Sequence, residues 1–182
     1  LEGVPELVEF IENYTVSPVY PAEFGARVYK IMRDVRGRRL SCMKITGGTL
    51  HNRDSVCGQT VTELRVYSGA GYETVQEAGA GSIVAVQGLD DTYAGQGLGF
   101  EGDGIRPETE AVMSYRIELP EGADAFSAYK QLRQLEDEDP QLHIEWNERL
   151  REISARIMGR VQTEVLTELI RERFDLEVSI TS

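Results

Sequence analysis

Apolar and polar residues alternate along Met113-Ser114-Tyr115-Arg116-Ile117-Glu118-Leu119, a pattern that predicts a β-strand with one buried face. After this stretch, Asp124 can cap a helix that ends before Asp139-Pro140. This first helix carries Phe126, Tyr129, Leu132 and Leu135, and a second helix carries Val161, Val165, Leu166, Leu169 and Ile170. Two strands are predicted between the helices, one with Leu142, Ile144 and Trp146 and one with Ile153, Ala155 and Ile157. A last strand is predicted from Leu176, Val178 and Ile180. The order β-α-β-β-α-β predicts a ferredoxin-like α+β domain over residues 109–182, with two helices covering one face of a four-stranded sheet.

The strand pattern also predicts which residues face the helices. Trp146, Ile153 and Ile157 are expected on the helix-covered face, and His143 on the opposite, exposed one. If Trp146 is buried there, Trp146→Ala should destabilise the domain by about 3–5 kcal/mol.

The preceding part of the chain has a different pattern. Between residues 24 and 106, short runs rich in β-branched and aromatic residues are separated by turn signals such as Arg36-Gly37 and Gly47-Gly48. Strands at this spacing, without a helical period between them, predict an all-β barrel over residues 20–108. The glycine-rich segment 95–99 is not followed by a helix that could hold a pyrophosphate, so a surface loop is predicted there instead of a dinucleotide site.

Residues 4–14 predict a short helix, because Val4, Leu7, Val8 and Ile11 recur with helical spacing and Pro5 suits a first helical turn. Ser17-Pro18 and Tyr20-Pro21 favour extended backbone after it. Residues 1–19 are therefore interpreted as a helix and a linker.

Basic residues are concentrated in the first half of the predicted barrel. Residues 24–60 carry eight Arg and Lys against two Asp, a net charge of +6, whereas the whole chain has a net charge of −12. A local basic segment in an acidic protein indicates either a phosphate contact or a solvated hairpin, and the sequence leaves both open. Six of these cations are the candidate contacts: Arg33, Arg36, Arg38, Arg39, Lys44 and Arg53. Reversing Arg38 and Arg39 to Glu is expected to weaken binding to such a phosphate partner and to flatten its salt dependence, while the fold survives.

A second, smaller group of cations lies around the predicted third strand and second helix of the ferredoxin-like domain. Its members are Arg149, Arg151, Arg156 and Arg160. Glu145, Glu148 and Glu152 lie among them. The group is a second anion-contact candidate.

Catalytic and metal chemistry find little support in the sequence. His51 and His143 belong to different predicted domains, and Cys42 and Cys57 are too few for a cysteine zinc site. None of the three lysines, Lys30, Lys44 and Lys130, follows a glycine, so the chain contains no P-loop and should neither bind nor hydrolyse GTP. No catalytic residue and no metal site is predicted. The absence of a signal-peptide pattern and of long apolar runs favours a cytoplasmic protein.

Three segments of the predicted barrel resemble the second domain of translational GTPases. They are Gly37-Arg38-Arg39-Leu40, Lys44-Ile45-Thr46-Gly47-Gly48-Thr49-Leu50 and Arg53-Asp54-Ser55-Val56.

Two segments of the next domain, Tyr115–Pro120 and Glu138–Leu142, resemble the third domain of elongation factor G. That domain usually continues with Gly-Glu-Leu-His at the start of its second helix. This chain instead has Met158-Gly159-Arg160-Val161-Gln162-Thr163-Glu164-Val165. The departure resembles the tetracycline-resistance ribosomal protection proteins, which are related to elongation factor G.

This resemblance implies a ribosome-binding fragment of a larger GTPase, with the RNA and protein of the small ribosomal subunit as its partners. The six barrel cations would contact small-subunit ribosomal RNA, the ferredoxin-like domain would lie near the decoding region, and residues 1–19 would belong to a missing GTP-binding domain. The parent chain would use GTP and Mg²⁺ to release tetracycline; the fragment itself would hold no cofactor, be monomeric, and bind neither DNA nor membranes. An elongation factor G-like paralogue in ordinary translation and an acidic protein-interaction module without an RNA target remain alternatives.

Overall fold

The computed structural model describes residues 3–16, 18–69, 71–104 and 113–181. The three helices are α1 (Val4–Tyr14), α2 (Ala125–Glu138) and α3 (Arg160–Phe174). The strands of the first domain are β1 (Gly25–Arg33), β2 (Arg39–Gly47), β3 (Thr49–His51), β4 (Ser55–Val56), β5 (Gln59–Thr60), β6 (Glu63–Ser68), β7 (Gly71–Val75), β8 (Glu77–Gly79), β9 (Ile83–Gln87) and β10 (Gly97–Gly99). The strands of the second are β11 (Met113–Glu118), β12 (Glu145–Asn147), β13 (Glu152–Ile157) and β14 (Ser179–Thr181). The boundary predicted between residues 108 and 109 lies outside the described residues.

The first domain is built on a six-stranded antiparallel sheet with the order β10-β1-β2-β9-β6-β7. Two short ladders, β3–β8 and β4–β5, contribute Leu50, Val56 and Ala78 to the same core. Val28 and Met43 are among the side chains that point inward from the sheet and are fully buried, because alternate residues of a strand face the same side. The predicted all-β barrel is confirmed.

The glycine-rich segment is not simply a surface loop. Gly97–Gly99 forms β10, which pairs antiparallel with Gly25–Arg27 and places Leu98 in the core. A Cβ atom at Gly99 would overlap the carbonyl oxygen of Phe24, and the φ angle of Gly99 is +67°. Glycine is normally depleted in strands, but here it allows β10 to approach the neighbouring backbone. The loop prediction is therefore wrong for these residues.

The second domain follows the predicted order β-α-β-β-α-β. Its four antiparallel strands have the order β12-β13-β11-β14. Ile153 and Ile157 are buried, and the half-buried Trp146 packs in the same cluster as residues of α2 and α3. The ferredoxin-like fold and the predicted facing of these three residues are confirmed.

Details of this domain differ from the sequence pattern. Pro140–Leu142 forms a 3₁₀ turn and His143 adopts a left-handed conformation, so β12 begins only at Glu145. The last strand is likewise short, covering Ser179–Thr181. Phe126, Val161 and Val165 are 51%, 75% and 61% exposed, although the helical period placed them with the core residues. An apolar repeat identifies a helix, but the width of the covered face depends on the sheet beneath it. His143 is exposed, as predicted.

The predicted N-terminal helix is α1, and none of its residues is buried. Its apolar side chains, including Leu7, Phe10 and Ile11, are about half exposed. The two larger domains do touch each other, because Arg33 at the end of β1 forms an ion pair of 3.1 Å with Asp137 near the end of α2. Arg33 is one of the six candidate cations, so this contact involves one of the predicted site residues.

Candidate functional site

The β1–β2 hairpin turns at Asp34-Val35-Arg36-Gly37, which we call the hairpin tip. The backbone N–H of Gly37 donates to the carbonyl of Asp34 at 2.8 Å, and the N–H of Asp34 donates to the carbonyl of Arg38 at 3.0 Å. Gly37 has a φ angle of +75°, a conformation that favours glycine over residues with a Cβ atom. The turn leaves the side chains of Val35 and Arg36 exposed at its end.

The carboxylate of Asp34 accepts four hydrogen bonds. Its Oδ1 accepts from the backbone N–H groups of Arg36 and Arg38 at 2.9 and 3.0 Å. Its Oδ2 accepts from Nε of Arg38 at 2.8 Å and from Nη1 of Arg65 at 3.0 Å. Burial opposes the charged form, but the bonds from Arg65, from the two backbone groups and from Arg38 together hold the pKa of Asp34 well below its usual range.

Arg65, on β6, is fully buried and connects the tip to the sheet. Its Nε and Nη2 donate to the two carboxylate oxygens of Glu63 at 3.0 and 2.9 Å, and its guanidinium lies 4.4 Å from the ring centre of Tyr72. The hydrogen bonds to Glu63 raise the pKa of Arg65, despite its burial. Sequence reasoning missed this residue, because a polar residue at an alternate position of a strand normally reads as exposed.

Three of the six candidate cations have partners within the protein. Arg33 donates to the carbonyl of Gly37 at 3.2 Å and pairs with Asp137, and Arg38 pairs with Asp34. Arg39 donates to the carbonyls of Leu89 and Thr92, and burial lowers its pKa.

The other three candidate cations, Arg36, Lys44 and Arg53, are exposed. Among the described residues, none of them forms an ion pair. They do not lie side by side, however. Lys44 lies opposite Arg27 in the β1–β2 ladder, at the end of the hairpin that is far from the turn. It follows Arg38 by six residues, which corresponds to about 20 Å along a strand. Arg53 lies in the β3–β4 turn with a φ angle of +73°.

The second group of cations is also spread out. Arg149 and Arg151 are exposed in the β12–β13 turn, Arg156 lies on β13 with its Nη2 3.9 Å from Glu145, and Arg160 begins α3. Arg151 lines a groove of about 430 Å³, whereas Arg160 lines a different groove of about 540 Å³. The structure therefore does not unite the four arginines in one site.

Two other kinds of structural feature are absent from the described ranges. No helix in these ranges is long and apolar enough to cross a membrane. No group of three or more His, Cys, Asp or Glu side chains there is arranged so that it could hold a metal ion.

Each of the two domains matches a known protein family. Residues 23–99 match the model described as elongation factor G domain 2. Residues 109–182 match the model described as elongation factor G, domain III. The chain belongs to the elongation factor G family.

Individual relatives of this elongation factor G-type chain carry two kinds of name. It is 29% identical over 98% of its length to elongation factor G 2 of Syntrophus aciditrophicus strain SB, and 30% identical over 97% of its length to an oxytetracycline resistance protein of Streptomyces rimosus. It spans only 31% and 29% of the lengths of these curated relatives. The two identities are too similar to favour either name.

A solved structure supports the fold of the elongation factor G-type domains. A crystal structure of a protein from Thermus thermophilus superposes with a TM-score of 0.75 at 23% identity, covering 98% of this chain and 29% of that one. At this level of identity, the likeness concerns the fold alone.

Proposed function

We propose that this chain is the ribosome-binding part of a translational GTPase, and that cations of its barrel contact phosphates of small-subunit ribosomal RNA. The observation that carries the proposal is the exposure of Arg36, Lys44 and Arg53 on an elongation factor G domain 2 within a chain of net charge −12. Repulsion by the acidic remainder would direct an RNA strand to this part of the surface. Arg33, Arg38 and Arg39 would contribute less to RNA binding, because their guanidinium groups already bind acceptors within the protein.

The proposal places the GTPase activity in the rest of a longer protein. Residues 1–19 would then be the helix and linker that follow a GTP-binding domain, with the barrel at 20–108 and the ferredoxin-like domain at 109–182. The exposed apolar side chains of α1 fit this arrangement, since a helix of this kind normally packs against another element. GTP and Mg²⁺ would bind to that domain, in the cytoplasm, and the second group of arginines would supply a further ribosome contact.

Tetracycline release is the more specific form of the proposal. It is supported by the oxytetracycline resistance relative and by the segment Met158–Val165, which opens α3 in this chain. The elongation factor G 2 relative favours a second candidate, a paralogue in ordinary translation. A longer protein containing this chain, supplied with GTP, should release labelled tetracycline from ribosomes if the first form holds, and should leave the drug bound if the second does.

Ribosome binding is tested with purified small subunits and a charge-reversed variant. Arg36→Glu, Lys44→Glu and Arg53→Glu together should weaken binding and flatten its salt dependence, since each lost phosphate contact reduces the slope of log K against log salt by about 0.7–0.9. Sedimentation between about 50 and 200 mM KCl measures both quantities. Stability should change by only about 0.5 kcal/mol per site, because all three side chains are exposed.

The matched control makes the same change of charge on the other domain, with Lys130→Glu, Arg133→Glu and Arg171→Glu. Binding close to the wild-type value is expected for this control. An equal loss in both triple variants would mean that only net charge matters. Wild-type protein that fails to bind at the lowest salt would support the interaction module without an RNA target.

A further inference from the structure

The hairpin tip is held from inside the barrel by one buried side chain. Asp34 fixes the backbone on both sides of Gly37 through its bonds to the N–H groups of Arg36 and Arg38. Arg65 in turn holds the other oxygen of the same carboxylate at 3.0 Å. We propose that Arg65 is a positioning residue: through Asp34 it holds the tip in the shape that presents Arg36 to a phosphate of an RNA backbone. This inference rests on the proposed function.

The geometry gives Arg65 little freedom to act otherwise. Glu63 binds Nε and Nη2 through both of its oxygens, and the face of Tyr72 lies against the guanidinium. Because a guanidinium is planar, these contacts fix the direction of Nη1, which points to Asp34. Arg65 is fully buried, so it cannot itself touch an RNA strand.

The exposed end of the tip has the features of a backbone contact. Val35 is fully exposed and Arg36 extends beside it without an ion-pair partner among the described residues. An arginine can bind a phosphate through two parallel hydrogen bonds, which requires a defined orientation of the guanidinium. Such a contact carries no information about base identity, so the partner is an RNA strand of any sequence.

A prearranged tip favours binding because less freedom is lost when the complex forms. Immobilising one long side chain or a short loop costs enough to change an affinity by about three- to tenfold. If Arg65 is replaced by Met, Asp34 loses its bond to the sheet and keeps only Arg38, next to the tip, as a side-chain partner, so the tip should sample other conformations. Ribosome binding should then weaken by about three- to tenfold although Arg36 is still present.

Amide hydrogen exchange tests the positioning role without a ribosome. In Arg65→Met, the amides of Arg36 and Arg38 should exchange about fivefold faster or more, because their acceptor, Asp34, is no longer bonded to the sheet. Arg65→Lys should restore part of the protection, since a lysine can reach Asp34 or Glu63 but cannot bind both in the manner of the guanidinium. The matched control is Val86→Ala, a buried change in the same sheet at a position that pairs with Ser41 and Leu64 and not with the tip.

Affinity for small subunits, measured on the same variants together with Arg36→Ala, separates the two proposals. Weaker binding by Arg36→Ala and Arg65→Met, but not by Val86→Ala, supports the positioning role. If Arg36→Ala weakens binding while Arg65→Met leaves both the exchange rates and the affinity unchanged, the positioning role is wrong. If Arg36→Ala binds as the wild type does, the proposed function is wrong at this tip, whatever the exchange rates show.

Asp34→Asn serves where Arg65→Met does not fold. The asparagine side chain can still accept a bond from the tip backbone, but its NH₂ group would meet Nη1 of Arg65. Arg65 keeps its bonds to Glu63 in this variant. Faster exchange at Arg36 and Arg38 with weaker binding supports the proposal, and wild-type values for both would overturn it.

Discussion

The hydrogen-bond partners of Arg39 give this side chain a role in the stability of the barrel. Its guanidinium donates to the carbonyls of Leu89 and Thr92 and to Oγ1 of Thr92, and both of these residues are buried. The contact fastens the segment after β9 to the start of β2. The expectation that charge reversal at Arg38 and Arg39 leaves the fold unharmed assumed exposed side chains, and Arg39 is not exposed. We therefore expect Arg39→Glu to destabilise the barrel, because glutamate would place a negative charge against carbonyl oxygens.

We expect Arg39→Ala to lower the free energy of unfolding of the barrel by about 2–3 kcal/mol, since two buried carbonyls lose a charged donor. Arg36→Ala, three positions earlier and exposed, should change it by no more than about 0.5 kcal/mol. Calorimetry of the two variants compares them directly. Similar melting temperatures for both would show that the observed bonds of Arg39 contribute nothing to stability.

Strand β12 is stabilised by contacts with a neighbouring strand and a helix, and its own apolar sequence pattern predicts it only in part. Only Glu145–Asn147 are in strand conformation, and Trp146 lies opposite Ile153 of β13. The indole ring is 6.1 Å from the ring of Tyr129 on α2, measured between centroids. The strand therefore closes one edge of the core with a single aromatic side chain.

Trp146→Ala should destabilise the ferredoxin-like domain by about 2–3 kcal/mol, which is below the range for a fully buried tryptophan because Trp146 is only half-buried. Phe126→Ala, an aromatic change on the exposed side of α2, is the control and should be close to neutral. Urea unfolding followed by far-UV circular dichroism measures both. A neutral Trp146→Ala would mean that β12 pairs in a register shifted by one residue.

At the scale of the whole molecule, the two domains meet where the tip and α2 come together. Arg33 bridges the carbonyl of Gly37 and the carboxylate of Asp137, and a cavity of about 230 Å³ beside it is lined by Lys30, Leu135 and Leu142 among others. A displacement of the second domain would therefore change the contacts of Arg33 with Asp137 and with Gly37 of the hairpin tip.

The chain as a whole should not bind GTP. It has no lysine preceded by glycine for the phosphates and no Asn-Lys pair for guanine recognition. Fluorescence anisotropy of a labelled GTP analogue should stay at the value of the free nucleotide as the chain is added in excess over the nucleotide. A saturable rise, competed by unlabelled GTP, would contradict this and would assign the chain a nucleotide site of another kind.

The sequence by itself determined the two folds and their order along the chain. The helical and strand periods of residues 113–181 are set by neighbours within each element, so they can be read from local spacing. Strand β10 was not predicted, because its glycines carry no side-chain pattern. Strand β12 begins later than predicted, because a turn that starts at a proline precedes it.

Only the tertiary structure decided which arginines are free. Arg36, Arg38 and Arg39 look alike in the sequence, yet one is exposed, one binds Asp34, and one binds residues about fifty positions away. A long, flexible cation takes whatever acceptor the fold brings within reach, and burial makes that pairing obligatory. The same reason explains Arg65: its acceptors, Asp34 and Glu63, come together only when β1, β2 and β6 fold into one sheet.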